Sequence, residues 1–122
     1  MAKQNILITG ISGQDGIFLA NRILSKESKK FNIYGISRQN PSITINKIKS
    51  LGSYDENLKI VNTDLTEPLN VLNLIRDINP SQVFNLSGPS SVYDSLKNAN
   101  YFETTINKIF DNLTIACVQL KV

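Results

Sequence analysis

Short apolar runs alternate along this chain with longer segments in which apolar residues recur at helical spacing. Short runs rich in β-branched and aromatic side chains favour strands, whereas a period near 3.6 residues favours amphipathic helices. The pattern therefore predicts four strands, which are Asn5–Thr9, Asn32–Ser37, Leu58–Val61 and Gln82–Leu86.

Helices are predicted in the intervals between the strands. The first runs from near Gln14 to near Lys30, and a short second one is expected around Ile45, Ile48 and Leu51, before Gly52. The third is expected to start with Thr66 as its cap, with Glu67 and Pro68 in its first turn, and to end at Asn79-Pro80. The last runs from about Tyr101 to the C-terminus. The expected apolar faces are Leu69, Leu72, Ile75 and Ile78 in the third helix, and Ile106, Ile109, Leu113, Ala116 and Leu120 in the last.

Strands that alternate with amphipathic helices predict an α/β fold of the Rossmann type, with a parallel sheet and helices on its faces. Right-handed crossovers then give the strand order 3-2-1-4. A complete sheet of this type continues beside the fourth strand. We therefore expect residues 1–122 to be the N-terminal part of an NAD(P)-binding Rossmann domain, within a longer protein.

Composition narrows the classes of function. A net charge of +3 over 122 residues does not favour a nucleic-acid partner, and no apolar run approaches the roughly 20 residues that span a bilayer. The chain has no histidine, which excludes histidine-dependent triads and histidine metal ligands, and no metal site is expected. The single cysteine, Cys117, is expected in the core. Without a signal-peptide pattern, we expect a cytoplasmic protein with no membrane partner.

The strongest functional signal is the sequence Thr9-Gly-Ile-Ser-Gly-Gln-Asp-Gly16, which joins the first strand to the first helix. Gly10 is expected to permit a tight turn, Gly13 to let the backbone approach a pyrophosphate, and Gly16 to let the helix pack closely on the sheet. Backbone N–H groups at such a helix start bind phosphate. The turn predicts a dinucleotide site, with a merely structural turn as the alternative.

The end of the second strand bears on the choice of cofactor. NAD sites usually have an acidic residue here for the ribose hydroxyls, but this chain has Ile36-Ser37-Arg38. Arg38 can pair with a 2′-phosphate, with Ser37 or Asn40 adding hydrogen bonds, which favours NADP. The alternative is a solvent-exposed arginine at a strand end.

Two further segments follow strands at the same edge of the sheet. Asp64 can accept a hydrogen bond from the adenine amino group and Leu65 can cover the ring; the alternative is an Asp that only stabilises its turn. The small residues of the turn at 87–91 leave room for the nicotinamide half, and Ser90 or Ser91 can donate to ribose or phosphate. The alternative is that these residues only shape the turn.

Four motifs together resemble the GDP-mannose 4,6-dehydratase family of extended short-chain dehydrogenases/reductases. They are Thr9–Gly16, Tyr34-Gly-Ile-Ser-Arg38, Asp64-Leu-Thr66 and Asn85-Leu-Ser-Gly-Pro-Ser-Ser-Val92, and the resemblance extends over essentially the whole chain. It implies a tightly bound NADP. The expected cofactor-binding residues are Gly10, Ile11, Ser12, Gly13, Gln14, Asp15, Gly16, Arg38, Asp64, Leu65, Leu86, Ser87, Gly88, Ser90 and Tyr101. The family usually has a second arginine after the first; here it is Gln39, which leaves NAD open.

The resemblance also implies a reaction on a nucleotide sugar. Such enzymes take a hydride from sugar C4, lose water across C5 and C6, and return the hydride at C6, giving a 4-keto-6-deoxy sugar nucleotide. They assemble as dimers or tetramers, so we expect a homo-oligomer. Their catalytic Tyr-x-x-x-Lys pair follows a fifth strand, so we assign no catalytic residue here. We expect no turnover from this chain alone and at best partial cofactor binding.

Other functions stay open at this point. The longer protein could be a sugar-nucleotide epimerase or reductase, which residues beyond this chain would decide. The chain could also be a non-catalytic NADP-binding module, or a structural fragment that retains no ligand.

Overall fold

The fold was analysed in a computed structural model, which describes residues 3–27, 30–37, 40–52, 56–87 and 99–122, with only the backbone at 27 and 99–103. Its strands are β1 (Gln4–Thr9), β2 (Phe31–Ile36), β3 (Leu58–Val61) and β4 (Gln82–Asn85). Its helices are α1 (Gln14–Glu27), α2 (Pro41–Ser50), α3 (Pro68–Ile78) and α4 (Ala99–Gln119). Within these described ranges, strands and helices alternate as the sequence predicts.

The strands form one parallel sheet in the order β3-β2-β1-β4, which confirms the predicted Rossmann-type topology. β1 lies inside the sheet and pairs on both sides: Ile8 is opposite Gly35 of β2 and Phe84 of β4. All four strands therefore end at the same edge, and the segments that follow them meet there.

Alternation along β1 divides the core into two clusters, one on each face of the sheet. Ile6 and Ile8 point into a cluster built with α1 and α2, which also contains Ile17, Ala20 and Ile48. Leu7 points the other way, into a cluster with α3 and α4. Its buried helical members are Val71, Ile75, Ile78, Ile109, Leu113 and Ala116. The predicted apolar face of the last helix is confirmed at Ile109, Leu113 and Ala116, and Leu120 packs partly buried against them.

Two helix boundaries differ from the prediction. α1 ends at Glu27 rather than near Lys30, whose carbonyl already accepts a hydrogen bond from the Gln4 amide at the start of β1 (3.0 Å). α2 begins at Pro41, earlier than the short helix expected around Ile45, Ile48 and Leu51. Asn40 caps it by accepting from the Ser42 amide (2.9 Å), and Pro41 occupies the first turn, where no N–H is needed.

The start of α3 and one residue of its apolar face were also predicted incorrectly. Thr66 does not cap the helix, since it lies one residue before the cap position; its amide and hydroxyl both donate to Asp64 Oδ1 (2.9 and 2.6 Å). Glu67 occupies the cap position without a side-chain hydrogen bond, although Pro68 lies in the first turn as expected. Ile75 and Ile78 are buried as predicted, and Leu72 packs partly buried beside them. Leu69, however, is 67% exposed, and the buried face includes Val71.

Cys117 is half-buried rather than fully in the core. It packs against the α3–α4 cluster, and partial burial raises the pKa of its thiol. Within the described ranges, no helix is long and apolar enough to cross a membrane.

Candidate functional site

The site is organised around the glycine turn between β1 and α1. Gly10 directly follows β1 with φ of +66°, a conformation that side-chain-bearing residues rarely adopt. A Cβ at Gly10 would overlap the Leu86 carbonyl oxygen and would lie 2.6 Å from the Leu86 carbonyl carbon and 2.9 Å from the Ser87 amide nitrogen. The turn therefore packs directly against the residues that follow β4.

Backbone hydrogen bonds hold the turn in place. The Gly10 carbonyl accepts from the Gly13 amide (3.1 Å), and the Gly13 carbonyl accepts from the Ile17 amide (3.0 Å). A Cβ on Gly16 would lie 2.5 Å from the Gly10 oxygen and 2.7 Å from Ile11 Cα, so only glycine lets α1 approach the turn this closely. By contrast, Gly13 is exposed, and a Cβ there would meet only the Gly10 oxygen, at 3.4 Å.

The geometry supports the roles suggested for Gly10 and Gly16, whereas the approach of Gly13 to a pyrophosphate stays a prediction. α1 begins at Gln14, so its first amides, which no helix can satisfy internally, lie at the turn. Such amides and the helix dipole attract an anion. Asp15 is exposed in this first turn, where a carboxylate also stabilises the helix without any ligand.

The end of β4 is joined to β1 by a small polar network. Thr9 is fully buried; its hydroxyl donates to Asn85 Oδ1 (2.7 Å) and accepts from the Leu86 amide (3.1 Å). The Ser87 amide donates to the same Asn85 oxygen (3.3 Å). These bonds place Leu86 and Ser87, two predicted site residues, beside the glycine turn.

The end of β2 contacts the glycine turn from the side opposite to β4. The Ile11 amide donates to the Ile36 carbonyl (3.2 Å), and Ile11 covers Gly35, where a Cβ would lie 2.7 Å from Ile11 Cγ1. Ser37 is buried, and its amide donates to the Val61 carbonyl of β3 (3.1 Å). Arg38, the predicted 2′-phosphate partner, lies outside the described residues.

Asp64 and Leu65 form the turn between β3 and α3, which we name the Asp64 turn (residues 64–66). Asp64 is exposed, and its Oδ1 holds the turn by accepting both hydrogen bonds from Thr66. The turn-stabilising interpretation of Asp64 therefore holds in the structure, while its contact with adenine stays a prediction. The Leu65 side chain is only 6% exposed and belongs to the α3–α4 cluster, so little of it can cover a ring.

The hydrogen bonds from Thr66 to Asp64 make the stability of the fold depend on pH. The hydroxyl of Thr66, then its amide, and to a lesser extent the nearby charge of Lys108, lower the pKa of Asp64. A lowered folded-state pKa stabilises the fold above the unfolded value of about 3.9, and this stabilisation is lost as the pH falls through the folded-state pKa.

We expect Asp64→Asn to be slightly less stable than the parent at pH 7, because a neutral amide oxygen accepts weaker hydrogen bonds than a carboxylate. The effect is small, since the exposed carboxylate is screened by solvent. The difference in thermal midpoint between parent and variant should shrink as the pH is lowered below about 4. A difference that stays constant from pH 7 to pH 3 would contradict this account.

Asn112 is a residue of this region that the sequence interpretation missed. It is a half-buried residue of α4, and its amide nitrogen Nδ2 donates to the Leu65 carbonyl oxygen (2.9 Å). In the sequence, Asn112 is marked only by its place before Leu113 of the buried face, which does not indicate a partner. Its partner is a main-chain atom 47 residues earlier, and no sequence pattern reveals such a pairing.

An open cleft of about 340 Å³ lies next to the glycine turn, between α1 and α2. Ser12 and Gln14 contribute its polar wall, Lys47 supplies a cation, and the remaining lining residues are Ile17, Phe18 and Leu51. Lys47 thus lines the same cleft as Ser12 and Gln14, two of the predicted cofactor-binding residues.

Several predicted site residues cannot be placed. Gly88 and Ser90 lie outside the described residues, and Tyr101 falls in α4 with only its backbone described.

The undescribed segment 88–98 also contains Tyr93 and Lys97, which stand at Tyr-x-x-x-Lys spacing and which the sequence interpretation overlooked. They follow β4 in the sequence, whereas the resemblance places the family's pair after a fifth strand, so the spacing alone assigns them no role.

Among the described residues, no group of three or more histidine, cysteine, aspartate or glutamate side chains could hold a metal ion.

A parallel sheet in the order 3-2-1-4, with a glycine turn leading from an inner strand into a helix, places this structure in the Rossmann-type class. Comparisons narrow the class, because the sequence profile of the family described as GDP-mannose 4,6 dehydratase matches residues 7–113. The chain belongs to the GDP-mannose 4,6-dehydratase family, which confirms the resemblance drawn from the sequence.

Individual relatives agree with this assignment. The GDP-mannose 4,6-dehydratase of Vibrio cholerae serotype O1 is 32% identical over 105 residues, which are 83% of this chain and 27% of the relative. The chain thus spans about a quarter of the length of the curated relatives it matches.

Solved structures share the fold. Bordetella bronchiseptica WbmH in complex with NAD⁺ matches with a TM-score of 0.73 and 22% identity, over 99% of this chain and 37% of that one. The UDP-glucose 4-epimerase of Bifidobacterium longum, in complex with NAD⁺ and UDP, matches with a TM-score of 0.79 and 13% identity, over 98% and 35% of the two chains. Both support the predicted fold class.

Proposed function

We propose that this chain is the cofactor-binding portion of an NADP-dependent nucleotide-sugar dehydratase that acts on GDP-mannose or a related sugar nucleotide. The observation that carries the proposal is the glycine turn, packed between the ends of β2 and β4 in a chain of the GDP-mannose 4,6-dehydratase family. Relatives of that name supply the substrate class.

The described residues fit an extended dinucleotide. β3 and β4 are the outermost strands of the sheet, with the glycine turn between them, so the Asp64 turn and Leu86 lie on opposite sides of Gly13. The pyrophosphate would lie at the start of α1, the adenine near Asp64, and the nicotinamide near Leu86 and Ser87. The exposed Gly13 leaves the approach to the helix start open.

In this function NADP would supply a reversible hydride acceptor. The chain's own residues would bind and orient it: backbone amides at Gln14 to Gly16 would hold the phosphates, and Arg38 would pair with the 2′-phosphate. Lys47, which lines the cleft together with Ser12 and Gln14, would add positive charge to this region. No residue of this chain is proposed as a catalytic acid or base, and we propose that the longer protein forms a homo-oligomer.

The second candidate is the cofactor-binding portion of an NAD-dependent sugar-nucleotide epimerase. Two observations favour it: solved neighbours of the same fold contain NAD⁺, and Gln39 stands where the family usually has a second arginine. The two candidates differ first in their cofactor.

A titration tests the proposal and separates the candidates. We expect millimolar NADP to raise the thermal midpoint of the 122-residue chain by several degrees and NAD to raise it less, because a ligand that binds only the folded state stabilises it. Arg38→Ala should reduce the NADP shift to that of NAD and leave the NAD shift unchanged, whereas Arg22→Ala, exposed on α1, should alter neither. A larger shift with NAD would favour the epimerase, and no shift with either dinucleotide would refute a working site.

A further inference from the structure

Two side chains of α4 reach the Asp64 turn from one face of the helix. Lys108 and Asn112 are four residues apart and therefore lie on the same side. Asn112 donates to the Leu65 carbonyl oxygen (2.9 Å), and the charge of Lys108 acts on Asp64. The helix that follows β4 is thus joined to the turn that follows β3.

The Leu65 backbone is fixed from more than one side. Its side chain is buried among residues of α3 and α4, and its carbonyl accepts from Asn112. The adjoining Asp64 is held through Thr66, and its own carbonyl accepts from Asn70 Nδ2 (3.4 Å). Among these contacts, the hydrogen bond from Asn112 ties the main chain of the turn to a helix outside the β3–α3 connection, beside the apolar packing of Leu65.

We propose that Asn112 is a positioning residue that holds the Asp64 turn where Asp64 can distinguish adenine from its 6-oxo analogue, hypoxanthine. The inference rests on the proposed cofactor site. A carboxylate accepts a hydrogen bond from the 6-amino group of adenine, but it faces an acceptor oxygen in hypoxanthine. Discrimination of this kind depends on where the carboxylate stands, and therefore on what anchors the turn.

The test compares a dinucleotide with its deaminated form. Whichever of NADP and NAD binds more tightly is titrated against its nicotinamide hypoxanthine counterpart by calorimetry, and the ratio of the two Kd values is the readout. We expect the parent to prefer adenine and Asn112→Leu, which removes the donor, to reduce that preference about fivefold, the equivalent of one ordinary hydrogen bond. Asn107→Leu, an exposed position on the same helix, should leave the ratio unchanged.

The outcomes separate this inference from the proposed function. A parent that binds neither dinucleotide refutes the cofactor site, and the inference falls with it. A parent that binds both forms equally, or an Asn112→Leu variant that keeps the parent's ratio, refutes the inference alone. Equal weakening of both ligands would also refute it, since that is what a general loss of structure produces. Asn112→Ala, tested in the same way, covers the case in which leucine prevents folding.

Discussion

Gly10→Ala is expected to destabilise the folded chain by about 2–5 kcal/mol, the sum of a left-handed backbone and a steric overlap. Gly10 has φ of +66°, and a Cβ there would overlap the Leu86 carbonyl oxygen. The overlapping atom belongs to the main chain of Leu86, whose amide donates to the Thr9 hydroxyl. It therefore cannot rotate away as a side-chain atom would. Urea denaturation of the parent and the variant measures the difference.

Gly52→Ala is the matched control for this prediction. Gly52 also has a positive φ, +82°, but a Cβ there would meet nothing within 4 Å. We expect it to cost about 1–2 kcal/mol, which is the backbone contribution alone. The excess cost at Gly10 then measures the contact between the glycine turn and the end of β4. Equal losses in the two variants would show that this contact is not tightly packed.

The part of the fold that the sequence predicted well is governed by local signals. Each strand is a short apolar run, and the glycine turn stands between a strand and a helix that are contiguous with it. Because right-handed crossovers then leave few arrangements for four parallel strands, the order 3-2-1-4 followed from local elements and one general rule.

The errors arose where one sequence supports two local structures. Asn40-Pro41 suits a turn, but it equally suits the cap and first residue of a helix, and the structure uses the second option. Thr66 has the chemistry of a cap, yet the preceding Asp64 accepts both of its donors. In each case the outcome depends on the position of neighbouring elements, which the local pattern does not contain.

The residues of the candidate site also divide into those that a local sequence pattern predicts and those that it does not. The glycines can be identified from the sequence, because only glycine permits the backbone positions seen at Gly10 and Gly16. Asn112 cannot be identified in this way, because its role comes from a hydrogen bond to a carbonyl on another element. Polar residues that support a site from a distance are therefore found from the structure rather than from motifs.

Gly13→Ala is expected to weaken dinucleotide binding by about 10–100-fold while the fold is retained. Gly13 is exposed, and an added Cβ would meet only the Gly10 oxygen at 3.4 Å, so the unliganded chain should lose no more than about 1 kcal/mol. In the proposed site, however, the same methyl group stands where the pyrophosphate approaches the first amides of α1. Losing one charge-assisted hydrogen bond of about 1.5–3 kcal/mol produces a loss of that size.

The ligand series identifies the cause of the loss. NADP and ADP-ribose both contain the pyrophosphate, so Gly13→Ala should weaken them by similar factors, whereas Arg22→Ala, at an exposed position of α1, should weaken neither. Calorimetric titration of the three proteins gives the affinities, and urea denaturation confirms that each is folded. Unchanged affinity in Gly13→Ala would mean that the pyrophosphate does not approach this backbone. The glycine turn would then serve only to pack α1 against the sheet, through Gly10 and Gly16, and the proposed cofactor site would lose its central contact.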